Sequence, residues 1–331
     1  RQVAETRKLT QNEIEGTYTT RYEYDTADRR IAVIYPDNTR LTYAYNPRSL
    51  ITSMGGLITE QRFDADGSLT YRRFGNGVEI QRTYDTRRRL TSIYTKNKQN
   101  VTLQDFTYTY DNASNITSIR DQRPDLQPAG TPDNDQQDVD IARDQSIQAT
   151  YDPLYRLTQA QGNGYTLSWR YSPTGNILER SGDITPIVPN LSFGTFTHGE
   201  DGAGPHAVTS FTPVNPTNPS DPTDPTNPDN QEAHYTYDDC GNLLTTPKLE
   251  LTYNALQQIT QAKTIKEEKR VENTYGYTDT RLVRRVQSSS GETHTTVYLN
   301  EYLEIIDGRL IKFATEQGRR LVMIGTPPDQ D

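Results

Sequence analysis

The chain has 331 residues, is 32% hydrophobic, carries 22 Tyr against 7 Phe and 1 Trp, and has a net charge of −9. That apolar fraction is well below the roughly 45–50% of compact globular chains, and the acidic balance excludes nucleic acid as a partner of the chain as a whole. The single cysteine, Cys240, excludes an intrachain disulfide framework, and no apolar run reaches the roughly 18 residues of a membrane-spanning helix.

Tyr and Thr suit pleated surfaces with one wet side, so the composition predicts β-structure with thin cores. The chain opens at Arg1 in charged sequence and reads as a fragment of a longer polypeptide.

From the N-terminus to residue 120, turn signals recur about every ten residues. They are Asp25–Asp28, Pro36–Thr39, Asn46–Ser49, Gly55–Gly56, Asp64–Gly67, Gly75–Gly77, Asp85–Arg88, Lys96–Asn100 and Asp111–Ser114. Runs between them, such as Arg40–Tyr45, Val78–Tyr84 and Phe106–Tyr110, alternate with period two, the signature of half-buried strands. Residues 121–146 are rich in Asp, Gln and Pro and are predicted to form an exposed loop insertion. The array continues over 147–212, with weak alternation in 181–210.

Residues 213–231 are a Pro-rich excursion, with Pro213, Pro216, Pro219, Pro222, Pro225 and Pro228 at every third place. That spacing sets the rings along one edge of a polyproline II helix, read as a stiff solvated spacer or as a partner-docking motif. Residues 232–331 resume the array. Residues 263–272 are the one place where a helical turn or two is expected. The whole is read as one continuous repeat domain.

Alternate turns are self-similar. Each starts at an aromatic, usually followed by Asp or Asn, with an apolar residue at the sixth place after the aromatic. The pairs are Tyr45/Ile51, Phe63/Leu69, Tyr84/Leu90, Tyr110/Ile116, Tyr151/Leu157, Tyr171/Ile177, Tyr237/Leu243, Tyr253/Ile259 and Tyr277/Val283. Tyr24-Asp25 starts another, with Arg30 at its sixth place, and the early copies are 21, 18 and 21 residues apart.

Asp at the first place of a type I turn, Pro at the second and Gly at the fourth match its backbone preferences. Asp64 with Gly67, Asp238 with Gly241, and Ser172 with Pro173 and Gly175 fit this pattern, as do Asp85, Asp111 and Asp152 at the first place. Cross-strand aromatic–aliphatic pairs contribute about 0.2–1 kcal/mol each, and a lone hairpin is marginal. Stability therefore requires each unit to pack on its neighbours.

Tyr84-Asp85-Thr86-Arg87-Arg88-Arg89-Leu90-Thr91, Tyr151-Asp152-Pro153-Leu154-Tyr155-Arg156-Leu157-Thr158 and Tyr235-Thr236-Tyr237-Asp238-Asp239-Cys240-Gly241-Asn242-Leu243 resemble the RHS/YD-repeat family. So do Ile34-Tyr35-Pro36-Asp37, Gly75-Asn76-Gly77-Val78 and Gly202-Ala203-Gly204-Pro205-His206-Ala207-Val208-Thr209. The resemblance implies an all-β hairpin ribbon spiralling into a partial or complete hollow shell or barrel. In bacterial members, among them insecticidal toxin-complex subunits and secreted effectors, the shell encloses a toxic C-terminal domain. Animal members use a similar barrel in adhesion.

The last motifs resemble the stretch preceding the family's RHS-associated core, which carries the aspartates linked to self-cleavage and the closing plug. The implied partners are the remainder of the shell, its C-terminal cargo and a delivery-apparatus protein. The implied location is secreted or extracellular. An adhesion or receptor-binding module, using the two insertions as contact surfaces, is the alternative.

No catalytic, cofactor-binding or metal-binding residues are expected. His198, His206, His234 and His294 lack metal-ligand spacing. Asp133, Asp135, Asp138 and Asp140 lack the Gly and Glu of a calcium loop. Cys240 occupies a turn slot with no local base. The run Arg87-Arg88-Arg89 crosses a turn and is expected to meet acidic neighbours or water. The chain is therefore read as structural, not as an enzyme.

Overall fold

The computed structural model describes residues 1–11, 14–124, 144–184, 193–213, 232–277, 279–316 and 318–324. Most of both insertions, 125–143 and 214–231, lies outside these. The described residues contain strands and turns and no helix.

They fall into two compact units, residues 1–76 with 248–331, and residues 77–247. The first unit opens with β1 (Ala4–Gln11), β2 (Ile14–Tyr24), β3 (Arg30–Ile34), β4 (Arg40–Tyr45), β5 (Ile51–Met54), β6 (Ile58–Phe63) and β7 (Leu69–Phe74). The second unit holds β8 (Glu79–Tyr84), β9 (Leu90–Lys96), β10 (Thr102–Tyr110), β11 (Ile116–Asp121), β12 (Ile147–Tyr151), β13 (Leu157–Gly162) and β14 (Tyr165–Tyr171). It continues with β15 (Ile177–Ile184), β16 (Gly194–His198), β17 (Val208–Pro213), β18 (Ala233–His234), β19 (Thr236–Tyr237) and β20 (Leu243–Thr245). The first unit closes with β21 (Leu249–Tyr253), β22 (Ile259–Thr264), β23 (Arg270–Tyr275), β24 (Arg281–Gln287), β25 (Thr293–Asn300), β26 (Leu303–Ile306), β27 (Arg309–Glu316) and β28 (Arg319–Ile324).

Pairing is antiparallel between chain neighbours. In the first unit it runs from β1 to β7 and from β21 to β28; in the second, from β8 to β18 and between β19 and β20. Such a meander is what short strands joined by tight turns produce.

The hairpin turns that open on a repeat aromatic share one geometry. In Tyr24–Arg30, the Asp25 amide donates to the Arg29 carbonyl at 3.0 Å and the Asp28 amide to the Asp25 carbonyl at 3.1 Å. Asp28 has φ 60°. This is a type I turn followed by a left-handed residue, which forces a bulge and adds twist. The register slips at the aromatic, pairing Tyr24 with Arg30, Tyr84 with Leu90, Tyr151 with Leu157 and Tyr237 with Leu243. The sixth-place residue is therefore the direct cross-strand partner of the aromatic.

Two local expectations are corrected. Residues 263–272 form no helical turn: β22 runs into a turn and β23 resumes at Arg270, with Ala262 opposite Val271. Cross-strand pairing there overrides the local helical preference. Tyr277 does not open a hairpin. The turn starts two residues earlier, with the Gly276 amide donating to the Thr280 carbonyl and Tyr275 paired with Arg281. Tyr277 projects from the turn, 98% exposed, and Val283 lies inside β24, packed on the core.

The core of the first unit joins residues far apart in sequence. Tyr22, Val33, Tyr35, Leu41, Tyr43, Met54 and Ile58 pack with Val297, Leu299, Tyr302, Leu303, Ile305 and Ala314. Burying each large side chain stabilises by about 1.5–3 kcal/mol. The second unit has fewer buried side chains, chiefly Ala160, Phe193 and Phe211, with Phe196 and Phe211 rings 4.7 Å apart. Its cohesion rests more on ladders and turn contacts.

Candidate functional site

The repeat turns begin with a carboxylate or amide that binds the turn's own backbone, except where Ser172 offers a hydroxyl and Gly276 no side chain. Asp85 Oδ1 accepts from the amides of Arg87 and Arg89, both at 2.9 Å, and Asp152 Oδ1 accepts from Leu154 and Arg156 at 2.9 and 3.0 Å. The amide and guanidinium of the following arginine hold the Asp25, Asp85 and Asp152 carboxyls below the usual range, the backbone bond being the largest cause. The side-chain amides of Asn115 and Asn242 do the same for Asp111 and Asp238.

The arginine five places after the aromatic reaches onward. Arg89 Nε donates to Asp85 Oδ2 at 2.6 Å, its Nη1 donates to the Asp111 carbonyl at 3.0 Å, and its guanidinium stands 4.6 Å from the centroid of Tyr110. Arg29 repeats this with Asp25, the Asn46 carbonyl and Tyr45. Arg156 repeats it with Asp152, the Ser172 carbonyl and Tyr171. One side chain thus pins a turn to the next turn and caps the next aromatic.

The tyrosine completes the joint from the other side. Its hydroxyl donates to the sixth-place carbonyl of the preceding unit: Tyr45 to Arg30, Tyr110 to Leu90, Tyr151 to Ile116, Tyr171 to Leu157 and Tyr275 to Ile259, at 2.6–2.9 Å. Thr pairs flank the aromatic pairs, as in Thr83 with Thr91 and Thr109 with Thr117. Each phenol bond contributes about 0.5–1.5 kcal/mol, and the stacked guanidinium about 0.5–1 kcal/mol at a half-exposed site.

In the first unit a second cluster ties strands from opposite ends of the chain. Arg72 donates to Gln61 Oε1 at 2.7 Å and to Glu316 Oε2 at 2.5 Å, and Gln61 Nε2 donates to Glu316 Oε1 at 2.8 Å. The Arg72 side chain is 9% exposed and Glu316 17%. Beside them lies a cavity of about 380 Å³ lined by Tyr45, Ile51, Phe63, Leu69, Arg72 and Glu316 among others. Nearby, Tyr35 donates to the Phe313 carbonyl at 2.9 Å and Lys312 to Asp37 at 2.8 Å. Burial pushes the phenols of Tyr35 and Tyr43 up, the latter to about 12.

Among the described residues no group of three or more His, Cys, Asp or Glu is placed to hold a metal ion. Cys240 is exposed, its amide bonded to Asp238. His294 binds Asp307 at 2.8 Å, and His206 binds Asn176 at 2.6 Å. The four loop aspartates, Asp133, Asp135, Asp138 and Asp140, lie outside the described residues. No helix of the described residues is long and apolar enough to cross a membrane.

Sequence reasoning placed Tyr24, Tyr45, Phe63, Tyr84, Tyr110, Tyr151, Tyr171, Tyr237 and Tyr253 at turn entries, and the register puts them there. It missed the fifth-place arginines. Their recurrence as Asp-x-x-x-Arg at 25/29, 85/89 and 152/156 was the available signal.

No protein-family model matches the chain, and no curated protein matches it in sequence. Solved structures do. The TcdB2–TccC3–Cdc42 crystal structure matches with a TM-score of 0.69 and 18% identity, over 98% of this chain and 17% of that one. A Photorhabdus luminescens Tc holotoxin pore structure with a mutated TccC3 matches at 0.70 and 18%, over 95% of this chain and 16% of that one. TcdB2–TccC3 without its hypervariable C-terminal region matches at 0.59 and 17%, again over 98% of this chain and 17% of that one. The chain therefore spans about a sixth of the length of these solved chains, and over that span it has the all-β fold of the RHS/YD-repeat shell.

Proposed function

We propose that the chain is a wall segment of an RHS-repeat toxin shell, exported from the cell, that encloses and protects a toxic C-terminal domain of the same polypeptide until delivery. The observation that carries this reading is the nearly full-length match to TcdB2–TccC3, retained when that complex lacks its hypervariable C-terminal region. The likeness thus resides in the scaffold that remains. The site chemistry supports a structural role: the turn carboxylates bind turn backbones, and arginines link turn to turn. In this reading the chain performs no catalysis. Its partners are the rest of the shell, the cargo and a delivery-apparatus protein.

Protease protection of the native full-length polypeptide tests this. The C-terminal domain should resist a protease while the shell is intact and become cleavable when the shell is denatured. Equal cleavage of the domain in both states would overturn the encapsulating role.

A further inference from the structure

The joints between successive units are not equal. In the second unit, the joint from Tyr84 to Tyr110 carries the Arg89 clasp, and the joint from Tyr151 to Tyr171 carries the Arg156 clasp. Between them lies the joint from Tyr110 to Tyr151. Its fifth-place residue is Asn115, whose side chain turns back to its own Asp111 Oδ2 at 2.8 Å and makes no bond to the next turn. An amide is too short to reach that carbonyl and carries no charge to place over a ring.

The ladder at this joint is also short. β11 and β12 pair only as Ser118 with Gln148 and Ile119 with Ile147, no more than β15 and β16 do, whereas the joint before it, β9–β10, pairs from Thr102 to Thr107 and the joint after it, β13–β14, from Gln159 to Gly162. What remains is a fastening at each end. Near the turn, the Tyr151 hydroxyl reaches the Ile116 carbonyl at 2.8 Å. At the far end sits Asp121, its side chain fully buried. Its Oδ2 accepts from Arg123 Nη2 at 2.6 Å and from the Gln145 amide at 3.2 Å, and its own amide donates to Ser146 Oγ at 3.0 Å. The bonds that cross the seam are those of the Gln145 amide to the Asp121 carboxylate and of the Asp121 amide to Ser146 Oγ; Arg123, two residues on from Asp121, holds that carboxylate in place as a charged acceptor.

We propose that the β11–β12 joint is a built-in opening seam of the second unit, left without an arginine clasp at Asn115 and latched by Asp121. Segments with few ladder bonds open sub-globally at lower free energy than the elements on either side. The seam then parts before β13–β15 or β8–β10, and the latch sets how often.

Hydrogen–deuterium exchange on the full chain, read peptide by peptide, tests this with two opposed variants. In the unaltered chain, peptides covering 116–121 and 147–151 should exchange faster than those covering 165–171 and 177–182. Asp121→Asn should speed exchange at the seam about tenfold or more without altering β14–β15, since it removes the charge that both donors share. Asn115→Arg, which supplies the missing clasp, should slow exchange at the seam about threefold. Uniform exchange across the second unit, or an Asn115→Arg variant whose seam exchanges no more slowly, would overturn the proposal. The second variant keeps the test decisive even if Asp121→Asn unfolds the unit.

Discussion

Arg156 stands over the ring of Tyr171, its guanidinium carbon 4.7 Å from the centroid, while the hydroxyl of that tyrosine donates to the carbonyl of Leu157, the arginine's immediate neighbour. The two side chains reach in opposite directions across one joint. Tyr171→Phe should therefore cost about 1 kcal/mol, the loss of one phenol bond. Arg156→Lys keeps the charge but loses the fork that binds Asp152 and Ser172 together, so it should also cost about 1 kcal/mol. Urea denaturation of each variant measures this; a neutral Arg156→Lys would mean that charge alone matters at the joint.

The left-handed place of the turn is held by Gly67, Gly175 and Gly241 in some units and by Arg88, Tyr155 and Gln257 in others. A side chain there costs about 1–2 kcal/mol in backbone strain, partly offset by the lower unfolded-state entropy of a non-glycine residue, about 0.4–1 kcal/mol. Tyr155 is 64% exposed, so little packing is lost on removing it. Tyr155→Gly should then stabilise by about 0.5 kcal/mol, and Gly175→Ala should destabilise by about as much. Thermal denaturation of the pair checks the opposite signs.

Arg72 is buried, Glu316 is largely so, and both are hydrogen-bonded to Gln61. Removing one partner strands the other charge, so Arg72→Ala should cost about 3–5 kcal/mol. The double change Arg72→Met with Glu316→Leu should recover most of that loss, because it removes the desolvation cost along with the attraction. A double-mutant cycle measures the coupling. Additive losses would show that the two charges do not act as a pair.

Stability should depend on pH through two sets of groups. The hydrogen bond that the His294 imidazole donates to Asp307, with the charge of that carboxylate, raises the imidazole above its ordinary value. That contribution is complete below the ordinary histidine value and is lost as pH rises through the raised one. The turn carboxyls Asp25, Asp85, Asp111, Asp152 and Asp238 are lowered. Theirs is complete above the ordinary aspartate value and is lost as pH falls through the lowered one. A melting-temperature profile should fall on the acid side because of the aspartates. His294→Asn should flatten only the neutral part of the curve.

The hairpin array was legible in the sequence because its determinants are local. Asp at the first turn place and an apolar residue at the sixth are fixed by bonds within seven residues, such as those that the amides of Asp66 and Ser68 donate to Asp64. The arginine clasp left only the Asp-x-x-x-Arg recurrence as a trace, because Arg89 and Tyr110 meet only once two turns stack. Tyr277 misled because Gly276, not an acidic residue, opens that turn. The core joining Tyr35 to the strand of Phe313 carries no local pattern, since its partners are far apart along the chain. The fully buried Met54 and Ile58 owe their place to that packing and not to the repeat.

The central claim is that these residues form wall around an enclosed C-terminal domain. Cryo-electron microscopy of the native full-length polypeptide tests it most directly. The account predicts that the strands between Ala4 and Ile324 lie in a closed wall, with density for the C-terminal domain inside it. A C-terminal domain resolved outside an open ribbon would contradict it.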